Sequence, residues 1–249
     1  GTLYVPETDT LYVANSASGH LNIYNGATFA LIKTIDYGPD SDPDNLRYDA
    51  AAKRVYLGYG EGAIGAIDAT TNQRVGTDFK LTAHPEGFQL EQNGPRIFVN
   101  MADQKNIRVI DRRTGKQTVW QLPPGHSANF PMVLDEKDRR VFIGTRKPSR
   151  LTVFNMDTGA VVASVPTTGD MDDIFYDADR KRIYVAGGEG YIGVIQQTDP
   201  NHYVSMGKFA SSLGARTGTW YVKRDRLYVA APPAGALGAR VLVFEAQTD

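Results

Sequence analysis

The sequence contains no cysteine among its 249 residues. This absence excludes disulfides, thiolate zinc sites, iron–sulfur clusters, covalently attached c-type haem and cysteine nucleophiles. Histidine is also scarce, and no two of the four histidines have the i, i+4 spacing of a helical zinc protease motif. We therefore expect no redox centre built from side chains alone.

An excess of one charge is also missing, because 27 Lys and Arg residues balance 28 Asp and Glu residues. Without a net positive field, nucleic acid and anionic membrane surfaces are disfavoured as partners. Long apolar runs are absent too, since none approaches the roughly 18 residues of a membrane helix. The composition predicts neither a nucleic-acid partner nor a membrane span.

A strand-like segment with a central aromatic residue occurs six times along the chain. The aromatic residues are Tyr12, Tyr56, Phe98, Phe142, Tyr184 and Tyr228. Their spacing alternates between 44 and 42 residues, which is the length of one four-stranded propeller blade. Turn-forming clusters separate short β-branched and aromatic runs. The repeat predicts an all-β fold, a β-propeller of four-stranded antiparallel blades, six of which are readable.

We predict one domain over residues 1–249, in which each repeat forms one blade. The predicted blades lie near 1–40, 41–83, 84–125, 126–168, 169–212 and 213–249. The last of them lacks a segment for its outer strand. An open sheet edge of this kind pairs readily with another chain, so the sequence is compatible with a monomer or an edge-paired dimer.

The third strand of several repeats ends in Asp or Asn, followed by Thr-Gly or Thr-Asn, at 68–72, 111–115 and 155–159. Together with the preceding Tyr-Val-Ala strands, this motif resembles the YVTN-repeat family of bacterial β-propeller proteins, over essentially the whole chain. The units are WD40-like in length. The resemblance implies a periplasmic or extracellular location. Typical relatives have seven blades, so the resemblance also implies that one N-terminal blade is lacking unless six blades close by themselves.

Two glycine-rich segments, Gly60 to Gly65 and Gly188 to Gly193, match the pattern of a dinucleotide-binding loop. Both lie at the same place in the repeat, between two strands and without a following helix. We interpret them as hairpin turns that use glycine for positive φ.

Polar residues stand just before or at the start of most innermost strands, where the blades of a propeller surround the mouth of its channel. We call them the channel-mouth residues, and they are Asp44, Asn45, His84, Glu86, Asn129, Asp172, Asp173 and Arg216. They are either solvated loop residues or a convergent ligand-binding site. In the second case, Arg216 would hold a carboxylate or phosphate of the ligand.

Two functions are compatible with this pattern. The favoured hypothesis is a non-enzymatic binding or scaffold protein that presents its loops and polar channel mouth to a protein or small-molecule partner. The alternative is a metal-dependent hydrolase similar to propeller lactonases, although no lactonase motif is present. Its cation, Ca²⁺ by the preference for oxygen ligands, would be held by Asn45, Glu86, Asn129 and Asp173, with Asp172 or His84 as the base. The sequence identifies neither ligand nor substrate.

Overall fold

The computed structural model describes residues 1–247, which form 23 β-strands and three short 3₁₀ turns. The turns are Pro6–Thr8, Ser16–Ser18 and Val222–Arg224. No α-helix is assigned in this part of the chain, and none of its elements is a helix long and apolar enough to cross a membrane. The chain divides into two compact units, Gly1–Trp120 and Gln121–Asp249.

Unit 1 contains three antiparallel sheets, in each of which the strands are neighbours in chain order. Blade 1 consists of β1 (Thr2–Val5), β2 (Thr10–Asn15), β3 (His20–Asn25) and β4 (Leu31–Asp36). Blade 2 consists of β5 (Leu46–Asp49), β6 (Arg54–Tyr59), β7 (Ala63–Asp68) and β8 (Gln73–Lys80). Blade 3 consists of β9 (Phe88–Leu90), β10 (Arg96–Met101), β11 (Asn106–Asp111) and β12 (Gln117–Gln121).

Unit 2 repeats this arrangement in two complete sheets and one three-stranded sheet. Blade 4 consists of β13 (Ser127–Asp135), β14 (Arg140–Lys147), β15 (Ser149–Asn155) and β16 (Val161–Pro166). Blade 5 consists of β17 (Met171–Asp177), β18 (Arg182–Gly187), β19 (Tyr191–Asp199) and β20 (His202–Ala210). Blade 6 consists of β21 (Thr217–Tyr221), β22 (Arg226–Ala231) and β23 (Arg240–Glu245).

The Asp or Asn at the end of each motif's third strand caps the turn that follows it. The Asp68 carboxylate accepts hydrogen bonds from the backbone N–H groups of Thr70 and Thr71, at 3.0 and 2.8 Å. The bond from Thr71 holds the pKa of Asp68 below its ordinary value. The same turn is capped in other blades by Asn25, Asp111, Asn155 and Asp199. The repeated motif is therefore a turn signal that fixes the hairpin to the outer strand.

The central aromatic residue of the second strand packs against the next blade of the same unit. In unit 2, the ring centroid of Phe142 lies 5.3 Å from that of Tyr176, and the centroid of Tyr184 lies 5.1 Å from that of Trp220. In unit 1, Tyr12 is fully buried and belongs to a core cluster with residues of blade 2. Burying one such side chain contributes about 2 kcal/mol, so the repeat supplies the core between neighbouring blades.

The two glycine-rich segments are hairpin turns, as expected. Gly60 and Gly62, with φ of 65° and 146°, join β6 to β7, and Gly190 joins β18 to β19. A β-carbon at Gly62 would lie 2.7 Å from the carbonyl oxygen of Leu81. Glycine is required there by backbone geometry, and the chain has the six-bladed β-propeller fold that its repeat predicts.

Candidate functional site

Four charged side chains from three consecutive blades meet in unit 2. We call them the Arg–Asp network: Arg146, at the end of β14, Asp170, just before β17, Asp172, within β17, and Arg216, just before β21. The antiparallel strands bring these positions to the same end of blades 4, 5 and 6. Two of the four, Asp172 and Arg216, are channel-mouth residues, so the structure brings part of the predicted set together.

Both carboxylates of the network contact both guanidinium groups. Arg216 Nη1 lies 2.8 and 3.0 Å from the two oxygens of Asp170, and Arg216 Nε lies 2.6 Å from Asp172 Oδ2. Arg146 pairs with Asp172 and, at 3.4 Å, with Asp170. The hydrogen bond to Asp170 and the charge of Asp172 raise the pKa of Arg216. The network therefore neutralises its own charges.

Arg146 is fixed by further contacts. Its Nε donates to the backbone carbonyl of Met171 at 3.0 Å, and its guanidinium lies 4.0 Å from the ring centroid of Phe130. Contacts on both the edge and the face of a guanidinium fix its position. The network is therefore fixed in position. Its side chains remain partly exposed, with exposed fractions from 21% for Arg146 to 41% for Arg216 and Asp170.

This geometry defines what the network can bind. Arg216 holds carboxylates of the chain itself, so a ligand anion would have to displace Asp170 or Asp172. A partner that carries both an acidic and a basic group can instead exchange pairs with the network without leaving a charge unpaired. The site is suited to a zwitterionic or mixed-charge surface more than to a simple anion.

The other two channel-mouth residues of unit 2 have different environments. Asp173 lies in β17, and its Oδ2 accepts a hydrogen bond of 2.8 Å from the backbone N–H of Gly218 in β21. This bond ties blade 5 to blade 6. Asn129 lies in β13 opposite Thr145 and is fully buried. Both residues contribute to packing and blade contacts, and only Asp173 lies next to the network in sequence.

In unit 1 the channel-mouth residues form two small groups. The Asn45 amide donates to Asp44 at 2.9 Å. The His84 Nδ1 lies 2.9 Å from the carbonyl oxygen of Gly60 and therefore carries the proton, while its Nε2 lies 3.9 Å from an Asp42 oxygen. His84 is thus positioned by a turn of blade 2.

Glu86 precedes the short strand β9 of blade 3. Its backbone N–H donates to the carbonyl oxygen of Asn100 in β10 at 3.0 Å. This bond continues the ladder between β9 and β10 beyond the end of β9. The backbone position of Glu86 is therefore fixed by the sheet.

Within residues 1–247, no group of three or more His, Cys, Asp or Glu side chains is placed to hold a metal ion. The predicted ligand set contains two asparagine amides, Asn45 and Asn129, so it is not a group of three His, Cys, Asp or Glu side chains. It also takes Asn45 and Glu86 from unit 1 and Asn129 and Asp173 from unit 2. The metal site stays a prediction.

Sequence reasoning missed Arg146 and Asp170. Asp170 stands just before an innermost strand, as several channel-mouth residues do, and nothing in the sequence distinguished it. Arg146 lies at the end of a second strand, four residues after the repeat's aromatic residue. At that position the other repeats carry a small residue or proline: Ser16, Gly60, Ala102, Gly188 and Pro232. A single arginine among them is a signal that a position-by-position alignment of the repeats could have found.

Comparison with known proteins supports the fold. No protein-family model and no curated protein matches the sequence. A solved structure described as Kuenenia stuttgartiensis hydrazine synthase is similar, with a TM-score of 0.81 and 15% identity, over 100% of this chain and 83% of that chain. A chain from the crystal structure of a mitotic checkpoint complex is also similar, with a TM-score of 0.79 and 14% identity, over 98% of this chain and 74% of that chain. Both comparisons show the β-propeller fold.

Proposed function

We propose that the chain is a non-enzymatic binding module that presents the Arg–Asp network end of blades 4, 5 and 6 to a protein partner. The observation that carries this proposal is the meeting of four charged side chains from three blades in one fixed, partly exposed network. A surface of alternating fixed charges recognises a partner by complementary charges and gives specificity to the contact.

The contacts of Asp172 favour binding over hydrolysis. A general base must accept a proton from a bound water or substrate, but Asp172 is already paired with Arg146 and Arg216. Both guanidinium groups of the network therefore already occupy this carboxylate. One similar structure is a chain of a mitotic checkpoint complex, and the other is described as hydrazine synthase. The fold is therefore compatible with both a binding protein and an enzyme.

The repeat motif supports membership of the YVTN-repeat family, which we include in the proposal together with a periplasmic or extracellular location. The support comes from the turn-capping Asp68, Asp111 and Asn155, which the structure places at equivalent ends of third strands. Location in the producing cell is tested by fractionation of that cell and detection of the chain with an antibody.

The binding proposal is tested by affinity capture with the full chain. Arg216→Glu reverses one charge of the network, and the matched control, Lys223→Glu, reverses an exposed charge elsewhere in blade 6. We expect a partner that binds the original chain and the Lys223→Glu variant but binds Arg216→Glu at least about tenfold more weakly. Equal binding of every captured protein to both variants would contradict the proposal, provided that both variants melt as the original chain does.

The metal-dependent hydrolase is the alternative function. It is tested by thermal unfolding with and without a chelator, followed by addition of Ca²⁺, Mg²⁺, Mn²⁺ or Zn²⁺ one at a time. A melting temperature that falls on chelation and is restored by one cation would indicate a bound metal. Lactone hydrolysis would then be measured for Asp172→Asn and His84→Gln.

A further inference from the structure

Four polar side chains of blade 4 are joined by hydrogen bonds outside the Arg–Asp network. We call them the His–Arg cluster: His126, just before β13, Arg150 and Thr152 of β15, and Ser164 of β16. Thr152 is fully buried, whereas the other three are partly exposed. Its Oγ1 lies 3.4 Å from Ser164 Oγ and 3.5 Å from His126 Nδ1. A buried hydroxyl thus connects the imidazole to the serine.

Arg150 fixes the direction of these hydrogen bonds. A guanidinium can only donate, and Arg150 Nε donates to Ser164 Oγ at 2.7 Å. The Ser164 hydroxyl therefore donates to Thr152, and the Thr152 hydroxyl donates to His126 Nδ1. A neutral imidazole that accepts at Nδ1 carries its proton on Nε2. The cluster consequently fixes the tautomer of His126 and leaves its Nε2–H as a donor.

Two donor groups of the cluster have no acceptor among residues 1–247. Arg150 uses Nε and Nη2 for the hydroxyl and carbonyl oxygens of Ser164, and its Nη1 contacts no acceptor there. The Nε2 of His126 contacts none either. Arg146 and Arg216 of the network pair with carboxylates, but no carboxylate in the described part of the chain pairs with Arg150. Its charge is therefore available to a ligand.

The two donors lie near each other. Burial, and then the charge of Arg150, lower the pKa of His126. Water screens such an effect over longer distances, so the guanidinium is close to the imidazole. His126 is therefore neutral at pH 7, with a charged donor beside it.

The blade does not require a hydroxyl at the position of Thr152. This residue pairs with the one that follows the repeat's aromatic residue, and its equivalents in blades 2, 5 and 6 are Gly65, Gly193 and Leu242. A buried hydroxyl needs a hydrogen-bond partner, whereas glycine and leucine do not. The contact of Thr152 with His126 accounts for the hydroxyl in blade 4.

We propose that His126 Nε2–H and Arg150 Nη1 bind an oxyanion, the phosphate, sulfate or carboxylate group of a small molecule. Arg150 supplies the charge and a planar donor, and His126 supplies a second, directed hydrogen bond. Thr152 and Ser164 are positioning residues that hold both donors. The site goes beyond the proposed function, because it uses no residue of the Arg–Asp network.

The probe is inorganic phosphate, added to the full chain labelled with ¹⁵N at histidine. Spectra are recorded at about pH 7.5, above the ordinary histidine pKa of about 6.5, and the His126 signal is assigned from its loss in His126→Phe. Before addition, we expect the Nε2–H tautomer for His126. Phosphate should shift this signal saturably, with a Kd of about 1 to 10 mM, and chloride at equal ionic strength should not.

Three variants test the roles of the residues. Arg150→Gln should weaken phosphate binding at least about tenfold, because the charged donor is lost. The matched control, Arg224→Gln, removes the charge of an exposed arginine in blade 6 and should bind as the original chain does. Thr152→Val keeps the size of the side chain and removes its hydroxyl, so His126 should become a mixture of tautomers.

Sulfate, acetate and phosphoserine identify the class of ligand in the same titration. Tighter binding of phosphoserine than of phosphate would assign the site to a phosphate ester, and tightest binding of acetate would assign it to a carboxylate. Arg216→Glu should bind phosphate normally, which separates this inference from the proposed function.

The proposal fails if none of these anions shifts the His126 signal at concentrations up to about 50 mM, or if chloride shifts it equally. It also fails if Arg150→Gln binds phosphate as tightly as the original chain. If that variant does not melt as the original chain does, Arg150→Lys replaces it, and equal binding by Arg150→Lys and Thr152→Val would contradict the site. Loss of binding in Arg216→Glu would place the anion at the Arg–Asp network instead.

Discussion

Blades 5 and 6 are two copies of one repeat that end in different surroundings. In blade 5, Tyr184 stands opposite Val194 in the register of the second and third strands, and in blade 6 Tyr228 stands opposite Val243. Tyr184 and Val194 are buried by blade 6. Tyr228 is only partly buried, and Val243 is exposed.

The comparison separates two properties that the repeat encodes. Strand formation and register are the same in both blades, so they follow from local sequence and hairpin turns. Burial differs, so it follows from what lies against the blade. An apolar residue of this repeat stabilises the fold only where a neighbour covers it, and where none does it is available for binding.

The largest expected effect comes from removing the aromatic residue in each blade. Tyr184→Ala should lower the free energy of unfolding by about 3 kcal/mol, because it leaves a cavity against Trp220. Tyr228→Ala should cost about 1 kcal/mol, since its side chain is partly exposed. Denaturant unfolding of both variants measures the difference. Equal losses would mean that blade 6 is covered in solution.

A smaller change sharpens the same comparison without leaving a cavity. Val194→Thr places a hydroxyl in the packed face of blade 5 and should cost about 1 to 2 kcal/mol. Val243→Thr places the same hydroxyl in solvent and should change the stability by no more than about 0.5 kcal/mol. Thermal unfolding of the two variants and of the original chain measures both effects. A loss for Val243→Thr as large as that for Val194→Thr would contradict the exposed position of Val243.

The fold could be predicted because its signals are local and repeated. The aromatic residue at each second strand and the Asp or Asn before each outer strand recur at nearly constant spacing. The Asp or Asn acts within a few residues, through turn-capping bonds such as that of Asp68, and the aromatic residue packs against the neighbouring blade. Six repetitions of a weak local signal identify a fold that no single copy would identify.

The candidate site could be predicted only in part, because ion pairs join residues distant in sequence. Repeat position placed Asp172 and Arg216 at the same end of their blades, and they do meet. It gave no indication that Arg146 and Asp170 would join them and occupy both charges. Side-chain pairing depends on reach and direction, which a one-dimensional alignment does not contain. The repeat also did not indicate that Val243 would be exposed, because burial depends on what lies against the blade and not on the position in the repeat.

The smallest expected effect concerns the charged link between the two blades. Arg180 of blade 5 donates to Asp225 of blade 6 at 2.8 Å, and this bond lowers the pKa of Asp225. Folding therefore favours the ionised carboxylate. Its contribution is fully present above the unfolded pKa of about 3.9 and is lost as the pH falls through the lower folded value.

Asp225→Asn should therefore lower the melting temperature slightly at pH 7, and this difference should shrink as the pH falls below the unfolded pKa of about 3.9. The original chain should lose more stability on acidification than the variant does. The matched control is Asp179→Asn, an exposed aspartate in the turn that contains Arg180, and it should leave the pH profile unchanged. Parallel profiles for the original chain and Asp225→Asn would mean that the bond to Arg180 does not hold blade 6 to blade 5. The contact between these blades would then depend on the apolar packing around Tyr184, the bond from Gly218 to Asp173 and the Arg–Asp network.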